Sequence, residues 1–303
     1  MARQILIRIG QALLTMFFLV TIVFFMVRLT GDPTYALVSP DAPPELRDQL
    51  RKEFGLDQPV QVQYLIFLGD LAQGDLGTSF HGRQPVGSLI VQRLPGTLAI
   101  ALPAFLLMLF VGIPVGIYSA YRRGGKLDRV ARAIAAVGQS TPSFSLGIIL
   151  IIVFALQLKV LPSAGNSGPT SIILPVVTVS VIALAGLIRL LRASMIEVLG
   201  SEYVAFHRMK GLPESSVLWK HGLRNAGLTT LTYMGIVLAG LLTGSVIAET
   251  LFAFPGVGRL MIESVHTRDF PTIQGVLLFF AFVYIIVNLI VDIIYTLLNP
   301  RLR

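Results

Sequence analysis

The sequence contains no cysteine and only one tryptophan, and Asp, Glu, Lys and Arg make up just 13% of its 303 residues. Without cysteine there is no disulfide framework, no thiolate metal site and no cysteine nucleophile. Soluble domains carry charge on about a quarter of their positions, so 13% cannot solvate the surface of a chain this long. Catalytic signatures are missing as well. His81, His207, His221 and His266 are scattered, which gives no metal-ligand spacing. No H-E-x-x-H, G-x-S-x-G or phosphate-cradling G-x-x-x-x-G-K-[S/T] pattern occurs, and the chain therefore has no Walker A site for ATP.

Apolar residues are in excess. They form 54% of the chain, and its mean hydropathy is +0.77. A helix needs about 20 mostly apolar residues to cross a hydrocarbon core of about 30 Å. Six stretches meet this length: Ile9–Leu29, Thr97–Tyr121, Ala133–Leu158, Ile172–Leu191, Thr229–Ala248 and Ile273–Leu298. The expected fold is an all-α polytopic membrane protein with six transmembrane helices and a long loop after the first. That first stretch follows Arg3 and Arg8. It is longer than a signal-peptide core, and no A-x-A site precedes Asp32, so it reads as a retained anchor.

Six spans place both termini on one side, and the charges select that side. With cytoplasmic termini, the inner segments collect fifteen basic residues against the acids Asp128, Glu197, Glu202 and Glu214. The outer segments hold nine basic and eleven acidic residues, and Asp292 lies within the last span. The net charge of +8 is thus a topology signal, and no nucleic-acid partner is expected.

Two loops stand out. The outer one, Thr30 to Gly96, is too long for a simple connection. Leu46, Leu50 and Phe54 recur at helical spacing after Pro43 and Pro44, which suit a first helical turn. Val60, Tyr64, Phe67, Leu68 and Leu71 form a second stripe, and Gly74-Asp75-Leu76-Gly77 supplies turns. This loop reads either as a cap on the outer mouth or as a docking platform for a soluble partner. The inner loop after Arg189 predicts a short exposed helix over 202–210, free of Pro and Gly. Gly211 fits the position after its end, and Pro213 enforces the stop. Glu202 at the start and Arg208 and Lys210 near the end suit the helix dipole. A second helical stretch, Glu214–Asn225, returns to the membrane.

At this loop the chain resembles the integral-membrane subunit of binding-protein-dependent ABC importers, and within them the dipeptide/oligopeptide/nickel permease family, first permease type. The family signature runs approximately E-Y-V-x-x-A-x-x-K-G-L and ends in H-x-L-R-N-A. Here Glu202-Tyr203-Val204, Lys210-Gly211-Leu212 and His221-Gly222-Leu223-Arg224-Asn225-Ala226 match it. Matching pieces span the chain. Early ones are Gly31-Asp32-Pro33, Phe54-Gly55-Leu56-Asp57-Gln58-Pro59 and Gly74-Asp75-Leu76-Gly77-Thr78-Ser79. Later ones include Leu161-Pro162-Ser163-Ala164-Gly165, Arg189-Leu190-Leu191-Arg192, Phe254-Pro255-Gly256-Val257-Gly258-Arg259, Arg268-Asp269-Phe270-Pro271 and Asn299-Pro300-Arg301.

The resemblance implies a type I ABC importer transmembrane domain in a bacterial inner membrane. It implies an outer segment over 30–96, a permease core over 97–303 and a coupling loop over about 193–228. In that class a short coupling helix sits in a groove of a cytoplasmic ATPase. By position Glu202, Tyr203, Ala205, His207, Arg208, Lys210, Gly211 and Leu212 would shape that contact, and His221, Arg224 and Asn225 would anchor the return helix. The implied partners are a second permease, two ATPase subunits, an extracytoplasmic solute-binding protein and membrane lipid. ATP and Mg would sit on the ATPases, with no cofactor or metal on this chain. The implied cargo is short peptides, with nickel or another metal chelate, glutathione and other small solutes left open. A secondary transporter is the alternative from another class. The family usually has small residues two and four positions before the motif glycine, whereas this chain has Met209 and His207. A compensating groove in the ATPase is the expectation drawn from that difference.

Polar groups inside the spans are further candidates. Asp292 lies about six residues from the end of its span, roughly 9 Å deep at 1.5 Å per residue, with Asn288 on the same helix face. Arg192 is one possible partner for it. Ser140, Thr141 and Ser143 flank Pro142, which should kink the third span, and their hydroxyls can satisfy freed backbone groups. Glu249, at the outer end of the fifth span, reads either as a cap on the pathway or as an interface charge. Gly235, Gly240 and Gly244 favour close helix packing.

Overall fold

A computed structural model describes residues 2–29, 31, 34 and 43–298. Asp32, Pro33, Asn299, Pro300, Arg301 and Arg303 lie outside the described residues, as does the side chain of Arg3. The described chain is helical nearly throughout. Its elements are α1 (Ala2–Leu29), α2 (Pro44–Glu53), α3 (Val60–Ala72), α4 (Val86–Tyr121), α5 (Lys126–Ser140), α6 (Ser143–Leu150), α7 (Ile173–Leu199) and α8 (Glu202–Met209). α9 (Leu223–Leu242), α10 (Val246–Leu251), α11 (Val257–Thr267) and α12 (Phe270–Leu298) complete the fold. α6 continues into a π-helical turn, Ile151–Gln157, and a second such turn, Val217–Gly222, leads into α9.

The bundle is organised around α4 and α7, which pack along each other, with α9 closing against both. Glycines set the spacing. A Cβ on Gly112 would come within 2.8 Å of Leu187 Cδ2, and one on Gly116 within 3.1 Å of Leu191. Small residues at a helix contact let backbones approach where burying apolar surface gains nothing over lipid. Gly235 plays the same part for α9 against α12, where a Cβ would lie 2.4 Å from Val291 Cγ2. α1 packs on α12, and much of its remaining apolar surface, including Leu13, Leu14, Phe17 and Phe18, is bare. A face of that kind belongs in lipid or against another protein. Among the described residues five spans are long and apolar enough to cross a membrane, and a bent pair makes a sixth.

Three expected spans differ from what the fold contains. The second begins at Val86 rather than Thr97 and runs through Pro95, Pro103 and Pro114 without ending. The third is not one helix over Ala133–Leu158. α5 and α6 meet at 105°, far more than a kink. Thr141 is extended (φ −97°, ψ 120°) ahead of Pro142, the conformation a following proline enforces. The fifth stops at Leu242 and restarts at Val246. Gly244 between them has φ +89° and approaches Gly258 so closely that a Cβ would lie 2.9 Å from its Cα.

The outer segment is tied to the bundle by two knots. Asp269, 4% exposed just before α12, accepts from Ser79 Oγ (2.5 Å), Phe80 N (3.0 Å) and Thr272 Oγ1 (2.8 Å). α3 lies against α1, where the Tyr64 and Phe67 rings pack on Phe24. The expected stripes over α2 and α3 therefore exist as helices, with Pro43 and Pro44 at the first turn of α2.

Candidate functional site

On the basic end of the molecule α7 runs without a break to Leu199, and Gly200-Ser201 turns the chain into α8. Eight residues later α8 ends in a complete left-handed cap. Gly211 has φ +73°, its N–H donates to Arg208 O (2.9 Å), and Leu212 N–H donates to His207 O (3.4 Å). This double bond pattern satisfies the last carbonyls of the helix and requires a residue at ease with positive φ. Pro213 then starts the return segment.

Side chains lock the two arms together. Arg208 donates twice to Glu214, from Nη2 at 2.6 Å and Nε at 3.3 Å. That carboxylate holds the Arg208 guanidinium above its ordinary value. Tyr203, His207 and His221 form a ring stack, with centroids 4.3 Å apart for Tyr203–His207 and 4.0 Å for His207–His221. Tyr203 Oη lies 3.2 Å from His221 Nδ1, and His207 Nδ1 lies 2.7 Å from Tyr203 O. Asn225 Nδ2 donates back to His221 O (3.0 Å), while Arg224 stands exposed beside it. Val204 is fully buried and points the helix into the bundle. Tyr203, Phe206 and Met209 are 45%, 50% and 79% exposed and form an apolar crest, with Lys210 Nζ over the Phe206 ring at 4.4 Å. Glu202 and Ala205 are exposed on the same short helix, and Leu212 is half-buried behind it. His207 has neighbours that the sequence does not announce. Its ring packs against the chain's own Tyr203 and His221.

Beneath this elbow lies an ion pair that no sequence motif announces. Asp128, 1% exposed in the first turn of α5, accepts from Arg192 Nε (2.6 Å) and Nη2 (3.0 Å), Ser119 Oγ (2.8 Å) and Gly124 N (2.8 Å). Arg192 is therefore not the partner of Asp292. That carboxylate pairs with Arg8 of α1, and Asn288 turns back to Tyr284 O (2.8 Å).

The other intramembrane candidates separate. Glu249 is fully buried. It accepts from Thr97 Oγ1 (2.9 Å) and Arg259 N (2.9 Å), and Thr97 Oγ1 in turn accepts from Val257 N (2.9 Å). A Cβ on Gly256 would lie 2.2 Å from the Glu249 carboxylate, and one on Gly96 would lie 2.1 Å from Pro255 O. The Phe254–Arg259 turn is thus clamped onto α4. Ser140 is exposed, and Thr141 Oγ1 bonds Val137 O (2.8 Å). Ser143 lines a groove. That groove, about 420 Å³, runs between α7, α9 and α10, where Tyr233, Gly240, Gly244 and Ser245 join Ser143 and no charged residue contributes.

A bundle of apolar spans with a short helix projecting from one end is the architecture of a multi-pass membrane protein. Its backbone is similar to the methionine ABC transporter MetNI in an inward-facing form, with a TM-score of 0.57 over 70% of this chain and 96% of that one at 20% identity. The chain belongs to the family of binding-protein-dependent transport system inner membrane components. Residues 112–303 match that family's model, and residues 1–101 match the model of its N-terminal part. A putative peptide transport system permease protein of Brucella abortus (strain 2308) is 39% identical over 312 residues, covering 100% of this chain and 99% of that protein. A probable peptide ABC transporter permease protein of Sinorhizobium fredii is 37% identical, with 100% of both covered. The glutathione transport system permease protein of Escherichia coli (strain K12) is 38% identical over 290 residues, with 95% of each covered.

Proposed function

We propose that this permease forms half of the translocation pathway of an ATP-driven importer of short peptides. The α8 elbow is its contact with a cytoplasmic ATPase subunit. The observation that carries this reading is the elbow itself. Its two arms are locked by the Gly211 cap, the Arg208–Glu214 pair and the Tyr203–His207–His221 stack, and an apolar crest of Tyr203, Phe206 and Met209 faces outward. A rigid elbow passes on a displacement that a loose loop would absorb, because packed elements switch between discrete arrangements. The basic end then faces the cytoplasm, both termini lie there, and the membrane is a bacterial inner membrane.

The remaining parts follow from that role. ATP and Mg are bound by the ATPases, since this chain has no phosphate-cradling motif. A second permease supplies the other half of the pathway, and a solute-binding protein delivers cargo to the acidic side. The uncharged groove of Ser143, Tyr233 and Ser245 suits a pathway that tolerates many peptide side chains. Peptide cargo is favoured by the names of the relatives, glutathione being itself a small peptide.

The test is reconstitution. The chain is co-expressed with the permease, ATPases and binding protein encoded beside it, placed in proteoliposomes, and assayed for uptake of labelled di- and tripeptides. ATP-dependent uptake that disappears in Gly211→Val together with ATPase co-purification supports the reading. Uptake driven by an ion gradient without ATP overturns it.

A further inference from the structure

The turn between α4 and α5 carries a charge that the transport reading does not use. Arg122 and Arg123 follow the end of α4, Gly124 at φ +80° reverses the chain, and Lys126 and Arg129 stand at the start of α5. All four cations are exposed, and none has an ion pair or side-chain hydrogen bond among the described residues. The acid in the same stretch is turned away from them. Asp128 is buried, and its carboxylate is taken by Arg192 of α7. Arg132, further along α5, leans back toward that carboxylate at 3.7 Å. The surface of the turn therefore presents cations and no carboxylate.

Helix packing sets the depth of this patch. Asp128, Ala131, Ala135 and Gly138 form the buried face of α5. Asp128 meets Arg192 near the inner end of the α7 span, and a Cβ on Gly138 would lie 2.9 Å from that of Ala185. α5 thus runs beside a membrane-spanning segment, and Lys126 to Val137 is about 16 Å of helix. Next to the buried face lie Leu127, Val130, Ile134 and Val137, which are 45%, 57%, 47% and 65% exposed at i, i+3, i+7, i+10 spacing. This apolar stripe lies at the depth of acyl chains. The four cations stand at its shallow end, level with the headgroups of the inner leaflet, where basic side chains attract anionic lipid. A soluble acidic partner would match the charges and leave the stripe bare, whereas one lipid covers both.

We propose that this turn and stripe bind one anionic phospholipid of the inner leaflet. Its phosphate is held by the cations of the turn, and an acyl chain follows Leu127, Val130, Ile134 and Val137 along α5. A headgroup that also carries an ammonium brings a charge for which the turn has no carboxylate, so phosphatidylglycerol is preferred to phosphatidylethanolamine and phosphatidylcholine. The site rests on the cytoplasmic placement of the basic end and is independent of the cargo.

The test uses the full chain, purified with its co-expressed subunits, delipidated in mild detergent and titrated with these three lipids under native mass spectrometry. Phosphatidylglycerol should be retained about tenfold more strongly than the other two. The double variant Arg123→Gln/Arg129→Gln should lose one retained phosphatidylglycerol per copy of this chain, and Val130→Ser should lower retention severalfold. Lys220→Gln removes an exposed cation on the same side of the membrane but outside the turn, and it should leave retention unchanged. Soluble glycerophosphoglycerol should not displace the lipid. Equal retention of all three lipids, full retention by the double variant, or an equal loss in Lys220→Gln overturns the proposal. So does displacement by the soluble headgroup, which would make the turn a simple anion site. Loss of a co-purifying subunit from the double variant with the lipid retained also overturns it and makes the turn a protein contact. None of these readouts needs ATP-dependent uptake, so they stand or fall apart from the importer reading.

Discussion

Arg192 on α7 grips the carboxylate of Asp128 with two parallel hydrogen bonds, joining residues 64 positions apart beneath the α8 elbow. Ser119 and Gly124 complete the shell, so this one carboxylate ties together the end of α4, the start of α5 and the shaft of α7. Removing one partner of a buried pair leaves an uncompensated charge and costs about 3–5 kcal/mol. Asp128→Ala should therefore lower the thermal unfolding midpoint of the detergent-purified chain by several degrees. A midpoint within a degree of the parent would show that water replaces the pair.

The Arg208–Glu214 pair behaves differently. Its side chains are 43% and 34% exposed, and pairs of that kind contribute at most about 1 kcal/mol. Glu214→Gln should leave the unfolding midpoint nearly unchanged while lowering transport per ATP hydrolysed in the reconstituted transporter. An unchanged ratio would mean that the pair does not stiffen the elbow.

Gly211 has open space around it, so its requirement is conformational and not steric. A left-handed backbone costs an L-residue about 1–2 kcal/mol, and Asn tolerates it better than others. Gly211→Val should abolish ATPase co-purification, with Gly211→Asn retaining most of it. Equal loss in both would point to contact with the side chain itself.

Two glycine contacts predict different costs for the same added methyl. At Gly235 the obstacle is a valine side chain, which can shift, whereas at Gly96 it is the Pro255 carbonyl at 2.1 Å. Overpacking costs about 1–3 kcal/mol. Gly235→Ala should fall at the low end and Gly96→Ala at or above the high end, as measured by unfolding midpoints. The reverse order would show that the Phe254–Arg259 turn is free to move away from α4.

The His207 ring is held between Tyr203 and His221, and ring pairs of this sort contribute about 0.5–1.5 kcal/mol beyond area burial. His207→Ala should loosen the elbow and reduce coupling of ATP hydrolysis to transport. His207→Phe should restore part of it by packing alone. Full activity in His207→Ala would leave the ring stack without a role.

Local chemistry makes the elbow legible in the sequence. A short helix, a glycine after it and a proline stop are neighbours along the chain, and each enforces its own piece of backbone. The spans are legible because twenty apolar residues have few other fates. What escapes a reading of the sequence is set by tertiary contact. Asp128 looks like one more charge in a basic loop, and nothing in its neighbours announces a partner on α7. Asp292 pairs with Arg8, 284 residues away. Proline gives mixed signals for the same reason. α4 absorbs three, whereas Pro142 turns the chain by 105°, because tertiary packing decides whether the lost backbone bond is tolerated.

That turn has a consequence for the crossing of the membrane. Beyond the turn, α6 and its π-helical continuation contain only eight and seven residues. At 1.5 Å per residue they reach no more than about 22 Å, against about 30 Å of hydrocarbon. α6 with its continuation therefore falls short of the hydrocarbon thickness, and the sixth span is completed only where α5 shares the crossing.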